Sequence, residues 1–210
     1  MTPRLVAIVP AAGLSRRMGQ PKLLLDIVGR TVIARVIEAL HDGGIARCLV
    51  VVRPGDLALI QEVTAARGEV VLPTTDPPDM RQSVEWALRA VENWESGDSC
   101  QATPWDGWVL IPADHPTLSA SLVRELIAAW SACPSQIVVP VFEGQRGHPT
   151  IFPWSLAVEV FRLPPELGLN HILRCDPTRV HEVLVSDPHV LDDLDTPEDL
   201  LRLRAVYAVG

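Results

Sequence analysis

Five apolar residues in a row, Leu5 to Val9, stop at Pro10, and the chain then passes through Ala11-Ala12-Gly13 into Arg16, Arg17 and Lys22. A short run without polar alternation suits a strand covered on both faces, the condition of a parallel sheet held between two layers of helices. Small residues directly after it let the backbone approach whatever binds at the strand's carboxyl edge, and fixed cations follow at once. Gly13 and Gly19 keep backbone N–H groups approachable, while Arg17 and Lys22 could neutralise a triphosphate. The stretch contains neither Gly-Lys-[Ser/Thr] nor Gly-x-Gly-x-x-Gly, so it is not a Walker loop or a dinucleotide turn.

The rest of the chain repeats the alternation that such a sheet needs. Helical spacing over Thr31–Leu40, Leu57–Ala66, Met80–Trp94 and Ser119–Trp130 is separated by strand-like runs at Cys48–Val52, Glu69–Leu72 and Gly107–Pro112. Ser119 or Ser121 caps the helix before Glu125. After a strand at Ile137–Val141, Glu143–Pro149 reads as a loop into Thr150-Ile151-Phe152. Helices are expected at Trp154–Phe161 and Leu169–Leu173, a strand at Val180–Val185, and a last helix begun by Thr196-Pro197-Glu198. Glu95–Asp106 has no period and reads as an exposed loop. The expectation is one domain over residues 1–210, an α/β fold built as a Rossmann-like three-layer α/β/α sandwich on a mostly parallel sheet.

Charge narrows the partners. Lys and Arg total 18 against 26 Asp and Glu, a net charge of -8, which repels nucleic acid and anionic membrane alike. A polyanion would therefore need a local cationic pocket. Cys48, Cys100, Cys133 and Cys175 show no metal-ligand spacing and read as reduced thiols of a cytoplasmic protein. Arg4 ahead of Leu5–Ala12 mimics a secretory leader, but the run is short and Arg16-Arg17 closes it.

Asp114 emerges at the end of the Trp108–Ile111 strand, between Pro112 and Pro116. An acid there serves either as a magnesium ligand or as a helix cap, and both readings stand on that residue alone. The second cluster, Asp192-Asp193-Leu194-Asp195, favours the metal: two separated acids meeting at one sheet edge can hold magnesium across phosphate oxygens. Asp193 and Asp195 would share a face of an extended segment, with Asp195 also able to cap the last helix. A lone loop histidine is more often structural than catalytic, and for His148, in Arg146-Gly147-His148-Pro149, substrate contact is preferred to catalysis. Ser15 with the histidines hints at a hydrolytic triad, but no Gly-x-Ser-x-Gly elbow supports one.

These residues together resemble the MobA-like NTP-transferase family, most closely its molybdenum cofactor cytidylyltransferase branch. Ala11-Ala12-Gly13-Leu14-Ser15-Arg16-Arg17-Met18-Gly19-Gln20-Pro21-Lys22 follows the family signature nearly position for position. Met80–Leu88, Gly147-His148-Pro149 and Asp193–Asp199 resemble three further blocks. The resemblance implies a fold of the nucleotide-diphospho-sugar transferase type, with Ala11, Ala12, Gly13, Ser15, Arg17, Lys22 and Ser83 around the nucleotide. It further implies that Arg17 and Lys22 bind the triphosphate, that Asp114 binds magnesium, and that Asp195 is a second metal ligand. Ala11-Ala12-Gly13 stands where guanylyltransferases of the family usually show Ala-Gly-Gly, which favours CTP. Two blocks depart from the pattern: Ala113-Asp114-His115-Pro116 replaces Gly-Asp-Gln-Pro, and Gly168-Leu169-Asn170 replaces Gly-x-Arg. Arg17, Lys22 and Asp114 are the expected catalytic residues, with His148 toward the substrate. The implied reaction moves a nucleoside monophosphate from an NTP to a phosphorylated acceptor, molybdopterin among the candidates, with magnesium as cofactor. A sugar 1-phosphate or phospho-alcohol acceptor is the alternative, as is a catalytically silent protein that hands a cofactor to a partner enzyme. Oligomeric state is not legible in the sequence.

Overall fold

The computed structural model describes residues 2–15, 17–95 and 105–208. The expected 95–106 loop therefore lies largely outside the described residues. Strand β1 (Leu5–Pro10) is central, flanked in parallel by β2 (Arg47–Val51) and β4 (Gly107–Leu110), with β3 (Glu69–Val71) beyond β2. Its two-residue period sorts side chains between two cores: Leu5, Ala7 and Val9 enter one, Val6 and Ile8 the other. The first core is closed by α1 (Val32–Asp42), α2 (Leu57–Ala65), α4 (Ala120–Ala132) and α7 (Pro197–Ala208). The second is closed by α3 (Met80–Glu95), α5 (Ala157–Arg162) and α6 (Asn170–Cys175). Both faces of the sheet are thus covered, which is why β1 is apolar at every interior position, and the three-layer reading holds.

Helix starts follow their side chains. Thr31 accepts from Ala34 N–H, Asp56 from Leu59 N–H, and Ser119 rather than Ser121 from Leu122 N–H. No helix among the described residues is long and apolar enough to cross a membrane.

Past β4 the sheet becomes mixed. β7 (Thr150–Pro153) pairs antiparallel with β4 on one side and with β5 (Ile137–Phe142) on the other, and β8 (Val180–Leu184) runs parallel to β5. Trp108 of β4 stacks on Phe152 of β7, with ring centroids 4.1 Å apart and 8° between planes. Part of the expected Glu143–Pro149 loop is strand: β6 (Gln145–Arg146) pairs with Val141–Phe142 across a two-residue turn. Both turn residues have positive φ, 48° at Glu143 and 79° at Gly144, the geometry whose twist matches a hairpin. Between the 141–146 and 138–151 pairs, the four residues Gly147 to Thr150 lie opposite the two residues Val139 and Pro140. That bulge carries His148. The expected Trp154–Phe161 helix is a 3-10 turn at Trp154–Leu156 followed by α5, and the Leu169–Leu173 helix runs one residue later at its start.

Candidate active site

The carboxyl ends of β1 and β4 open on a cavity of about 530 Å³. Strands on either side of this point lead away in opposite directions, the place where open α/β sheets leave a crevice. Ala11, Ala12, Gly13, Ser15, Arg17 and Lys22 line the cavity from the opening loop, and Ser83, Asp114 and Asp195 line it from elsewhere. Of the predicted site residues, His148 alone lies outside it, in a neighbouring cavity described below.

The opening loop is held by its ends. Ala11 N–H donates to Val51 O at 2.9 Å, extending the sheet, and Met18 and Leu23 are 6% and 7% exposed in the core. Ser15 makes the turn with φ at 47°, and its Oγ accepts from Lys22 N–H at 3.4 Å. A Cβ at Gly13 would meet nothing within 4 Å, so the missing side chain leaves room for a ligand rather than for the fold.

Lys22 is the hub of the charges. Its Nζ donates to Asp114 Oδ2 at 2.6 Å and to Asp195 Oδ1 at 2.9 Å, while the Arg17 guanidinium reaches Asp195 Oδ2 at 2.8 Å. Burial alone would lower the lysine pKa, but the Asp114 carboxylate and then Asp195 outweigh it and hold the pKa above its ordinary value. The acids come from segments 81 positions apart, laced together where Leu194 N–H donates to Asp114 O at 2.9 Å.

The 187–199 acids divide their tasks. Asp195 does not cap α7. Thr196 Oγ1 accepts from Asp199 N–H at 3.2 Å, and Asp199 Oδ2 accepts from the Asp195 and Thr196 N–H groups, a reciprocal box that leaves the Asp195 carboxylate free for the site. Asp192 turns away to His189 Nδ1, at 2.6 Å, and to Arg202; burial pushes its pKa up, and these partners more than reverse that. Burial raises the Asp193 pKa, reinforced by the Asp195 and Asp114 charges, so Asp193 feels the site without bonding to it.

Asp114 and Asp195 aim hard carboxylate oxygens at a single ammonium group, and the same two oxygens suit magnesium. Among the described residues no three His, Cys, Asp or Glu side chains form a metal cage. Magnesium characteristically takes one or two carboxylates and completes its shell with substrate phosphates and water, so the pair fits it.

Ser83 is 2% exposed and donates its hydroxyl to Asp79 O at 3.3 Å, so it forms cavity wall near the start of α3. His115 and His148 meet edge to face, centroids 5.1 Å apart, with His115 Nε2 3.8 Å from Asp114 Oδ1. Burial lowers both imidazoles, and His115 adds to the effect at His148, whose pKa falls to about 4. His148 is therefore neutral near pH 7, and its buried Nδ1 has no partner among the described residues. A second cavity of about 460 Å³ lies beside the first, sharing Asp79 and Met80 with it and lined by Arg81, His148 and the 165–170 loop. Arg81 escaped the sequence reading. Its signal was its place three residues before Val84 on the buried face of α3, where an arginine is out of pattern.

Comparisons with known proteins bear on the fold and the family. Purine catabolism protein PucB of Bacillus subtilis is 28% identical over 97% of both chains. The molybdenum cofactor cytidylyltransferase of Escherichia coli is 23% identical over 95% of both. Among solved structures, Rv0371c of Mycobacterium tuberculosis superposes with a TM-score of 0.79 at 24% identity, covering 96% of this chain and 98% of its own. The same mycobacterial protein in complex with manganese gives 0.73 at 22%, covering 96% and 98%. At these identities the superpositions speak to the fold. The MobA-like NTP transferase domain matches residues 7–183, from β1 into β8, and the chain therefore belongs to that nucleotidyltransferase family.

Proposed function

We propose that this chain transfers a nucleoside monophosphate, CMP by preference, from an NTP to a phosphorylated small molecule and releases pyrophosphate. The observation that carries the reading is Lys22, bonded at once to Asp114 and Asp195 in the wall of the cavity made by the opening loop. An acceptor phosphate oxygen attacks the α-phosphorus in line, a new P–O bond forms, the α–β bridging bond breaks, and its electron pair leaves with pyrophosphate. Arg17, Lys22 and the approachable backbone of Ala11–Gly13 grip the triphosphate, and Lys22 exchanges its two carboxylates for phosphate oxygens when the nucleotide binds. Asp114 and Asp195, relieved of the lysine, would hold magnesium, which would supply neutralisation of phosphate charge there. Ser83 backs the nucleotide, and His148 contacts the acceptor from the adjoining cavity. The protein's share is positioning and charge, with no covalent intermediate.

Ala11-Ala12-Gly13 supports CTP as donor, and the similarity to a molybdenum cofactor cytidylyltransferase supports molybdopterin as acceptor. The place of work is read as the cytoplasm. Pyrophosphate release measured with CTP, GTP, UTP and ATP against molybdopterin, sugar 1-phosphates and phospho-alcohols tests the reading. Turnover with CTP and molybdopterin is expected. Turnover only with a sugar 1-phosphate or phospho-alcohol would replace the acceptor, and nucleotide binding without turnover with any pair would favour cofactor delivery to a partner enzyme.

A further inference from the structure

Arg81 stands in an unusual electrostatic position. It is 7% exposed, and among the described residues its buried Nε has no partner and its one ion pair is a 3.3 Å contact from Nη1 to Glu85 Oε2. Glu85 is shared: its Oε1 takes two hydrogen bonds from Arg89, at 3.1 and 2.8 Å. Two guanidinium groups thus face one carboxylate, and the more buried of them keeps the poorer contact. A desolvated cation with unfilled donors costs free energy unless something completes its shell. Arg81 lines the cavity of about 460 Å³ that also receives His148 and the 165–170 loop. Of the two acids lining that cavity, Asp79 is occupied at 2.8 Å by Gln82 N–H, and Glu166 is exposed to water. The desolvated charge on its wall is therefore positive. Leu110, at the end of β4, places the cavity against the same sheet edge as the triphosphate site.

We propose that Arg81, with His148 beside it, binds an oxyanion of the acceptor and makes this cavity selective for acceptors that carry one. The proposal rests on the nucleotidyl-transfer reading for the word acceptor, and on the cavity alone for the anion. A guanidinium offers a planar fork that matches phosphate or carboxylate, whereas neutral His148 supplies hydrogen bonding without adding charge. Arg81 is a specificity determinant in this account, acting on binding of the second substrate and leaving the nucleotide to the opening loop.

The test is a nitrogen-resolved NMR titration of the full chain with inorganic phosphate and, separately, with acetate, after saturation with CTP and magnesium. Saturable shifts are expected at the Arg81 Nε–H and at the amides of Leu167–Asn170. Preference for phosphate assigns this cavity to a phosphoryl group of the acceptor, and equal or better binding of acetate assigns it to a carboxylate that the acceptor carries beside its phosphate. Arg81→Gln is expected to weaken anion binding at least about tenfold with CTP affinity unchanged, and Arg81→Lys to restore part of it. The wild-type titration decides the matter even if a variant fails to fold. Shifts confined to other residues, no saturable shift, or equally tight binding by a folded Arg81→Gln protein would overturn the proposal. Absence of CTP binding would count against the nucleotidyl-transfer reading alone, because the anion titration can be read without nucleotide.

Discussion

Two neighbouring cavities at one sheet edge handle charge in opposite ways. On the opening-loop side the two described cations that line the cavity are paired: Lys22 lies between Asp114 and Asp195, and Arg17 covers the outer oxygen of Asp195. On the other side Arg81 and His148 keep buried nitrogens without partners among the described residues. The first region stores its ligand-binding charges as mutual ion pairs, which a highly charged ligand can exchange at little electrostatic cost. The second leaves buried nitrogens unsatisfied among the described residues, the condition in which a small polar ligand gains most by supplying the missing partner.

The largest break in this comparison comes from the paired side. Lys22→Ala or Asp114→Ala should cut pyrophosphate release by about 10²- to 10³-fold or more, the scale of losing a group that meets developing charge. Urea unfolding should show the fold intact; full activity in either variant would sink the site assignment. The unpaired side answers to pH. His148 is held neutral with a pKa of about 4, so the unfolded chain takes up a proton first as the medium is acidified. Its contribution is complete above about pH 6.5 and is lost as pH falls toward 4, on the order of 3 kcal/mol at most. Urea midpoints across that range should slope accordingly, and His148→Asn should flatten part of the slope.

Two smaller changes sharpen the contrast. A Cβ at Gly147 would sit 2.4 Å from Val190 O, beside the 2.9 Å bond from His148 N–H to the same oxygen. Gly147→Ala should cost about 1–3 kcal/mol and raise the acceptor KM while sparing CTP affinity. Thr196→Ala removes the α7 cap and should cost about 1 kcal/mol in thermal unfolding. Calorimetry should find its CTP affinity unchanged, because the Asp199 carboxylate still holds the Asp195 and Thr196 N–H groups in place.

Most of the opening-loop side of the candidate site was legible in the chain because strand, small residues and cations are local and ordered there. Asp114 could be placed at a strand end and the family resemblance named Asp195 beside it, but the reason Asp192 and Asp193 are passed over lies in the fold. The difference lies in competition for partners: Arg202 and His189 take Asp192, and the Thr196–Asp199 box frees Asp195. The cavity of Arg81 and His148 was harder. Glu143-Gly144 makes a hairpin turn without the usual Asn-Gly or Asp-Gly signal, so β6 was hidden inside a loop. Arg81 was masked by its own helix, since a single cation among apolar positions leaves the helical period readable.

The central claim is that loop and acids form one metal–nucleotide site. Calorimetric titration of CTP with and without magnesium, in the wild type and in Asp114→Asn, tests it most directly. The account predicts that magnesium tightens CTP binding by at least about tenfold in the wild type and has little effect in the variant. Equal affinity with and without magnesium in the wild type, or an undiminished magnesium effect in Asp114→Asn, would contradict it.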